Sequence, residues 1–327
     1  MLGDHAMAAD RHAGETLMGA PQRLRVAVLL NAAAGTVARM GAANLEKELL
    51  FAFNRAGLSA SLGFFSGGEL RGAAEQALQK VREKTLDALM VGGGDGSVRT
   101  VASVLAGTDV PLGILPLGTL NHFARDLGLP LDPSQAVAVL AFGALRSVDL
   151  GSMNGEIFLN NSSIGLYPFL VLERERQRRG QHVSKWIAMC AAIPRVLRNL
   201  PLFPLSVRVG DLAEACRSPL VFIGNNEYQL ALTALGRRQR LDGGELSIYV
   251  AKAQSPPELF GLACRVVLGF SAAGDMRIVK GKSAAIESRR PHLLVAFDGE
   301  VERLRPPLHY EIRPRALRVF ASAGPTA

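Results

Sequence analysis

The pattern of apolar and polar positions in the first 150 residues alternates between two periods. Four apolar runs predict strands, at residues 24–30, 59–65, 88–91 and 111–115. Apolar residues recur at helical spacing in five segments, at residues 43–56, 70–81, 98–105, 121–127 and 134–142. Strands and helices that alternate in this order predict an α/β domain, in which helices cover both faces of a parallel sheet.

After residue 147 short strand-like runs dominate, separated by turn signals such as Asn154-Gly155 and Asp298-Gly299. The predicted strands are residues 147–153, 157–164, 205–209, 220–224, 246–250, 276–279, 293–298, 310–313 and 317–320. Two predicted helices interrupt them, at residues 170–200 and 257–270. This pattern predicts a second, antiparallel β-rich sandwich domain. We therefore divide the chain into a mobile tail (1–23), an α/β domain (24–148) and a β-rich domain (149–314), with a last strand (315–327) returning to the α/β domain.

Composition and charge narrow the class of protein. A chain of 327 residues with 48% hydrophobic and 20% charged residues is not disordered, collagen-like or a coiled coil. Its three cysteines form no CxxC pair, which argues against a zinc site and fits a reducing cytoplasm. No apolar run is long enough to span a bilayer, and the N-terminus does not resemble a secretory signal.

The positive charge is concentrated in the second half of the chain. Residues 1–150 carry a net charge of −1, whereas residues 151–327 carry +9. Such an asymmetry indicates a surface that meets something anionic, either nucleic acid or an anionic membrane, or it serves solubility alone.

Two glycine-rich turns are the strongest chemical signals. The third predicted strand runs into Gly92-Gly-Gly-Asp-Gly-Ser97 and then into a helix. Backbone N–H groups in such a turn, together with a helix N-terminus, form a site for phosphate, and Asp95 would sit next to a Mg²⁺ bound there. The alternative is a tight turn in which Asp95 caps the helix. The fourth predicted strand ends similarly in Pro116-Leu-Gly-Thr-Leu-Asn121. Ligands of α/β sheets bind at these carboxyl ends of strands.

Together with a third segment, Asp298-Gly-Glu300, these turns resemble the diacylglycerol kinase catalytic-domain family. This family includes bacterial soluble lipid kinases and sphingosine kinases, and is related to NAD kinases and phosphofructokinases. Its GGDGT motif corresponds to Gly93–Ser97, its PxGTxNxFA motif to residues 116–124 and its DGE motif to residues 298–300. The resemblance covers about residues 24–320. It implies a Rossmann-like nucleotide-binding domain and a kinase that uses ATP and Mg²⁺ on a lipid.

The resemblance also implies a role for individual residues. Glu300 would be the general base on the lipid hydroxyl, supported by Asp298, with Asp95 as the third catalytic residue. The residues that would contact ATP are Asn31, Gly35, Ser66, Gly93, Gly94, Asp95, Gly96, Ser97, Gly118, Thr119 and Asn121. Asp95 would also bind the catalytic metal. Asp242 lies next to the position where bacterial relatives hold a structural Mg²⁺.

The chain departs from the family pattern at five positions: Arg99, Thr100, His122, Tyr167 and, next to Asp242, Gly243. These departures support one rival hypothesis, a catalytically weak nucleotide- or lipid-binding regulator. A soluble-metabolite kinase of the NAD kinase type is another. The basic segment at residues 174–198, which contains Trp186, predicts docking of a cytoplasmic protein on an anionic membrane. A solvated helix is its alternative. We expect no nucleic-acid partner, and a homodimer stays open.

Overall fold

The computed structural model describes residues 23–169, 171–172, 202–229, 238, 240–268 and 273–322. Residues 1–22 of the predicted tail and the whole basic segment at 174–198 lie outside these described residues. The predicted helix at 170–200 lies outside them too, apart from residues 171–172.

The first half of the described chain alternates strands and helices as predicted. Its elements are β1 (Arg25–Asn31), α1 (Gly35–Met40), α2 (Ala42–Arg55), β2 (Ser59–Phe65), α3 (Leu70–Arg82), β3 (Ala88–Gly93), α4 (Asp95–Leu105), β4 (Leu112–Pro116), α5 (His122–Asp126) and α6 (Pro133–Phe142). The four strands are parallel and lie in the order β2-β1-β3-β4. Because the strand order places β3 beside both β1 and β4, the carboxyl ends of these strands meet at one edge of the sheet.

Helices cover both faces of this parallel sheet. On one face α3 and α4 bury residues such as Ala74 and Val101 against the strands. On the other face α2 and α6 bury Leu45, Phe53 and Leu140. Both faces of β3 are consequently buried along its whole length, which explains why its sequence is a continuous apolar run.

The second half is β-rich and antiparallel. Its elements are β5 (Ala144–Met153), β6 (Glu156–Phe158), β7 (Asn161–Gly165), β8 (Phe203–Val209), β9 (Leu212–Ser218), β10 (Leu220–Asn225), β11 (Leu246–Ala251), α7 (Pro256–Leu268), a short 3-10 turn (Ala273–Asp275), β12 (Met276–Gly281), β13 (Ser283–Ser288), β14 (Leu293–Phe297), β15 (Glu300–Leu304) and β16 (Leu308–Ala321). Strands β12-β11-β10-β7-β14-β15 form one antiparallel sheet. It packs on the sheet that contains β5, β8, β13 and β16, through a core that includes Phe158, Ile248 and Tyr310. The predicted α/β domain with an antiparallel β-rich second domain is thus confirmed.

One sheet runs through both halves of the chain. Strand β16 is parallel to β4 and antiparallel to both β5 and β13. The parallel sheet of the first half therefore continues into β13, β8 and β9 of the second half. Strand β5 itself crosses residue 148, where we placed the domain boundary. The DGE turn lies in the other sheet, between β14 and β15, and that sheet packs on this continuous one.

The structure corrects several predicted elements. The predicted strand at 157–164 is two strands, β6 and β7, because the backbone N–H groups of Leu159 and Asn160 donate to a side chain instead of to a neighbouring strand. The predicted strands at 310–313 and 317–320 are one strand, β16, interrupted by a bulge. Helix α4 begins at Asp95, three residues earlier than predicted, since Gly96 is helical. Four elements were not predicted: α1, β9, β13 and β15.

Candidate active site

The sequence motifs meet at the carboxyl edge of the parallel sheet. Asn31 is the last residue of β1 and lies in register with Phe65, after which Ser66 follows. On the other side of β1, Gly92 pairs with Leu30, and Gly93 then pairs with Pro116 of β4. Four neighbouring strands therefore end at the same level, and each leads into a loop that carries a predicted site residue.

The two glycine turns touch each other backbone to backbone. A Cβ atom on Gly118 would lie 2.4 Å from the Cα of Gly94, so no side chain fits between the turns. Gly118 is also held by Asn121, whose side-chain oxygen accepts its N–H at 3.0 Å and whose amide donates to its carbonyl oxygen at 2.9 Å. Asn121 is buried and has a positive φ of 51°. It therefore shapes the second turn, while Thr119 is exposed at the tip.

Asp95 joins the two turns. It is the first residue of α4, but its carboxylate accepts the backbone N–H groups of His122 at 3.1 Å and Phe123 at 3.0 Å. It thus caps α5 in the following motif and not its own helix, which has no side-chain cap. Each carboxylate oxygen keeps a lone pair, and the side chain is partly exposed. Because Mg²⁺ binds through one or two carboxylates plus substrate phosphates, Asp95 fits the role of a metal ligand.

Four further predicted nucleotide residues lie in or beside these loops. The side-chain amide of Asn31 donates to the Ser97 hydroxyl at 2.8 Å and its oxygen accepts the N–H of Ala33 at 2.9 Å. Ser66 is exposed, and both its hydroxyl and its N–H donate to Glu69, which lowers the pKa of that carboxyl. Gly35 is exposed at the start of α1. Asn31 and Ser97 thus brace the first turn, whereas Ser66 and Gly35 border it from neighbouring loops.

The DGE turn closes the site from the β-rich half. A Cβ atom on Gly96 would lie 2.6 Å from Oε1 of Glu300, so the Glu300 carboxylate rests directly on the GGDGS turn. Its other oxygen is paired with the Arg99 guanidinium of α4. Arg99 in turn lies over the Phe297 ring, 5.2 Å from its centroid. The pair fixes the carboxylate at the edge where the glycine turns converge.

Asp298 is a structural residue of the turn that carries Glu300. Asp298 and Gly299 have φ values of 50° and 88°, as a tight hairpin turn between β14 and β15 requires. The Asp298 carboxylate accepts the backbone N–H groups of Leu159 at 2.7 Å and Asn160 at 2.8 Å. Burial raises its pKa to about 6, since the loss of hydration outweighs the two hydrogen bonds that favour the charged form. Asp298 therefore anchors the turn that carries Glu300.

Asp242, the other predicted metal ligand, is not part of this constellation. It lies on the loop before β11, and its carboxylate accepts a hydrogen bond from Arg240 at 3.2 Å. In the described part of the chain no group of three or more His, Cys, Asp or Glu residues could hold a metal ion. Metal binding at Asp242 stays a prediction without a supporting contact.

Comparison with known proteins identifies the family. The sequence model of the diacylglycerol kinase catalytic domain family matches residues 25–153, which contain both glycine turns. A diacylglycerol kinase of Mycobacterium tuberculosis is 39% identical over 264 residues, which is 78% of this chain and 82% of that protein. The chain belongs to the diacylglycerol kinase catalytic domain family. The resemblance seen in the sequence is confirmed, and the family supports a kinase of the lipid kinase class.

Other relatives agree with this assignment. A Pseudomonas putida protein named as a probable YegS-like lipid kinase is 38% identical over 242 residues, covering 72% of this chain and 77% of its own length. A crystal structure of a diacylglycerol kinase from Bacillus anthracis superposes with a TM-score of 0.66 at 22% identity, covering 93% of this chain and 98% of that one. The latter likeness shows the fold.

Sequence analysis missed a buried arginine beneath the site. The side chains of Arg238 and Asp126 are 0% and 2% exposed and form an ion pair at 2.8 Å. Arg238 also donates to the Leu159 carbonyl oxygen at 2.8 Å and to the Asn160 side chain at 2.9 Å. It thereby connects α5, which Asp95 caps, with the segment that holds Asp298. Its sequence neighbours are polar and basic, so nothing in the local pattern signals its burial.

The described residues contain no helix that is both long and apolar enough to cross a membrane.

Proposed function

We propose that the protein is an ATP-dependent lipid kinase that transfers the γ-phosphate of ATP to a hydroxyl group of a diacylglycerol-like lipid. The observation that carries this proposal is the contact between Glu300 and Gly96. It puts a carboxylate, which can accept a proton, beside glycine turns whose geometry suits a chain of phosphates. A nucleotide and an alcohol could therefore meet between the two halves of the chain.

Each group of site residues has a separate role in this reaction. The N–H groups of the two glycine turns bind phosphate oxygens, and Asn31, Ser97 and Asn121 keep the turns in shape. Glu300 accepts the proton of the lipid hydroxyl, whose oxygen then attacks the terminal phosphorus while the bond from that phosphorus to the bridging oxygen breaks and ADP leaves. Asp298 holds the turn that positions Glu300. A Mg²⁺ ion held by Asp95 would neutralise charge on the phosphates.

Transfer of labelled phosphate tests the proposal. Purified protein is incubated with γ-labelled ATP, Mg²⁺ and micelles of diacylglycerol, monoacylglycerol, ceramide, sphingosine or phosphatidylglycerol. We expect label in one lipid, and a loss of at least 100-fold in Glu300→Gln. Glu302→Gln is the matched control, because it removes the same charge from an exposed position on the same strand.

The other outcomes would refute the role of Glu300 or favour a different function. Equal activity of wild type and Glu300→Gln would refute the role of Glu300. ATP binding without transfer to any lipid would favour the regulator. Transfer to a soluble acceptor such as NAD would favour a metabolite kinase.

We further propose that the basic segment at 174–198 brings the protein to an anionic membrane. The segment holds seven arginine or lysine residues, and each contributes about 1 kcal/mol near such a surface. Just before it, Tyr167 and Phe169 are exposed apolar side chains. We expect binding to phosphatidylglycerol-containing vesicles that weakens with salt. Arg174→Glu combined with Arg176→Glu should weaken it, and unchanged binding of that variant would contradict the idea.

A further inference from the structure

A second cleft, of about 490 Å³, opens where β5, the bulge of β16 and the loop before β11 meet. None of the loops that form the candidate active site lines it. Its charged lining residues are Arg146, Arg238, Arg240, Arg315, Asp126 and Asp242. Four arginines against two aspartates leave the lining with an excess of positive charge. The volume is in the range of sites that bind small molecules.

Buried Asp149 holds two walls of this cleft in place. One of its carboxylate oxygens accepts the N–H of Arg315 at 2.8 Å, and the other accepts the N–H of Gly244 at 2.7 Å. Asp149 is 1% exposed, so both hydrogen bonds form away from water. The bulge of β16 and the loop before β11 are therefore held by a single side chain. This arrangement fixes the shape of the cleft before any ligand arrives.

Arg315 occupies a strained position at the tip of the bulge. Its φ of 51° lies in the left-handed region, which is unfavourable for a residue with a Cβ atom. The register of β16 against β5 shifts between Arg313 and Leu317, and this bulge takes the residues between them out of the β5–β16 hydrogen-bond ladder. Strain of this kind is retained where the surrounding structure enforces it, often at ligand sites. Here it places an exposed guanidinium at the cleft.

The charges of the cleft favour an anion over a cation. Arg238 and Asp126 neutralise each other in a buried pair, and Arg240 is paired with Asp242 at the surface. The guanidinium group of Arg315 has no acidic partner among the described residues, so its charge is available to a ligand. Guanidinium groups match the oxygens of phosphate with two parallel hydrogen bonds. The one carboxylate that could draw a metal here, Asp242, is already bound by an arginine.

We propose that this cleft is a binding site for a phosphate group, distinct from the candidate nucleotide site. The group can come from the headgroup of an anionic phospholipid or from a free phosphate compound, because both present the same oxygens to the arginines. The cleft shares Arg238 and Asp126 with the scaffold beneath the DGE turn. The proposal does not depend on the catalytic role of Glu300.

Calorimetric titration tests the site. The probes are inorganic phosphate and a short-chain phosphatidic acid below its micelle concentration, with the matching diacylglycerol as the probe without phosphate. All titrations contain a saturating non-hydrolysable ATP analogue, so that the glycine turns are not the sites measured. We expect one phosphate probe to bind, and its Kd to rise at least tenfold in Arg315→Gln.

Arg208→Gln is the matched control, because Arg208 is an exposed, paired arginine on β8, away from the cleft. The Kd of this variant for the phosphate probe should equal that of the wild type. Binding of phosphatidic acid alone would identify a lipid headgroup as the source, and binding of inorganic phosphate alone a free phosphate compound. The proposal is overturned if neither probe binds, if Arg315→Gln weakens the binding of diacylglycerol as much as that of the phosphate probe, or if Arg208→Gln weakens binding as much as Arg315→Gln. Unchanged melting temperatures establish that the variants are folded. If the ATP analogue does not bind, the proposed function fails, but the comparison of arginine variants still decides this proposal.

Discussion

Replacing Gly96 with alanine should separate the stability of the fold from its activity. The Cβ atom of Gly96→Ala would lie 2.6 Å from Oε1 of Glu300, whereas ordinary van der Waals contact begins at 3.4 Å. The difference between these two distances means that the carboxylate must move by about 0.8 Å. Glu300 can move, because it is a flexible side chain at a partly exposed position. The backbone of α4 need not change, since Gly96 is helical and its φ is not positive.

The expected effects have opposite signs. Alanine in a helix is more favourable than glycine by up to about 1 kcal/mol, so the free energy of unfolding should stay the same or rise. A misplacement of about 1 Å in a reacting group costs about 100-fold in rate. A shift of about 0.8 Å should therefore lower kcat by roughly 10- to 100-fold, which corresponds to about 1.4 to 2.7 kcal/mol of transition-state stabilisation.

The assay combines urea unfolding, ATP binding and kcat on the lipid acceptor for Gly96→Ala, Glu300→Ala and the double variant. If the methyl group acts by displacing Glu300, it has nothing left to displace in Glu300→Ala. The double variant should then be no slower than Glu300→Ala alone. If the two losses simply multiply, or if Gly96→Ala retains full kcat, the contact between Gly96 and Glu300 does not position the base and our reasoning is wrong.

Three further predictions concern the scaffold of the site. Burial raises the pKa of Asp298 from 3.8 to about 6, so the folded state binds this proton more tightly than the unfolded state. As pH rises from 4 through 6, the wild type should therefore lose about 1–2 kcal/mol of unfolding free energy relative to Asp298→Asn, a value that allows for the partial exposure of the Asp298 side chain. Urea unfolding at several pH values measures this difference. Arg238→Ala should cost about 3–5 kcal/mol in urea unfolding, because it leaves Asp126 buried and unpaired. Gly118→Ala should weaken ATP binding at least tenfold in calorimetry, since its Cβ atom would press on the backbone of Gly94.

Each of these predictions has a clear contradiction. A pH-independent difference between wild type and Asp298→Asn would mean that the carboxyl is hydrated in the folded state. Full stability of Arg238→Ala would mean that water replaces the guanidinium. Unchanged ATP affinity of Gly118→Ala, with Gly67→Ala as a control that meets no neighbour within 4 Å, would show that the glycine turns can separate without consequence.

Local pattern was sufficient for the four strands of the parallel sheet and for five of the six helices that accompany them, all but α1. Strands buried on both faces are continuous apolar runs, and the glycine turns mark where they end. It was not sufficient where the fold depends on distant contacts. Strand β15, with the sequence EVERL, is mostly polar and, among the described strands, pairs only with β14 at the edge of its sheet. The break between β6 and β7 exists because Asp298, more than 130 residues away, accepts the N–H groups of Leu159 and Asn160.

The candidate site shows the same division between local and distant causes. The motifs were expected to meet because parallel strands end at one edge, and the structure places their glycine turns together. The partners of the polar side chains were not predictable. Asp95 appeared to be either a metal-binding residue or a cap of its own helix, yet it caps α5 instead. No sequence pattern singled out Arg238, and its side chain is fully buried.

Those distant polar contacts explain how separate segments can form one site. Glycines allow the turns to approach but do not fix their mutual position, because a residue without a side chain makes few directional contacts. Directional contacts come from Asp95, which ties β3 to α5, and from Asp298, which ties the β14–β15 turn to the segment after β6. Arg238 then joins these two ties through Asp126 and Asn160. A change at Arg238 should therefore disturb both the glycine turns and Glu300, although it touches neither.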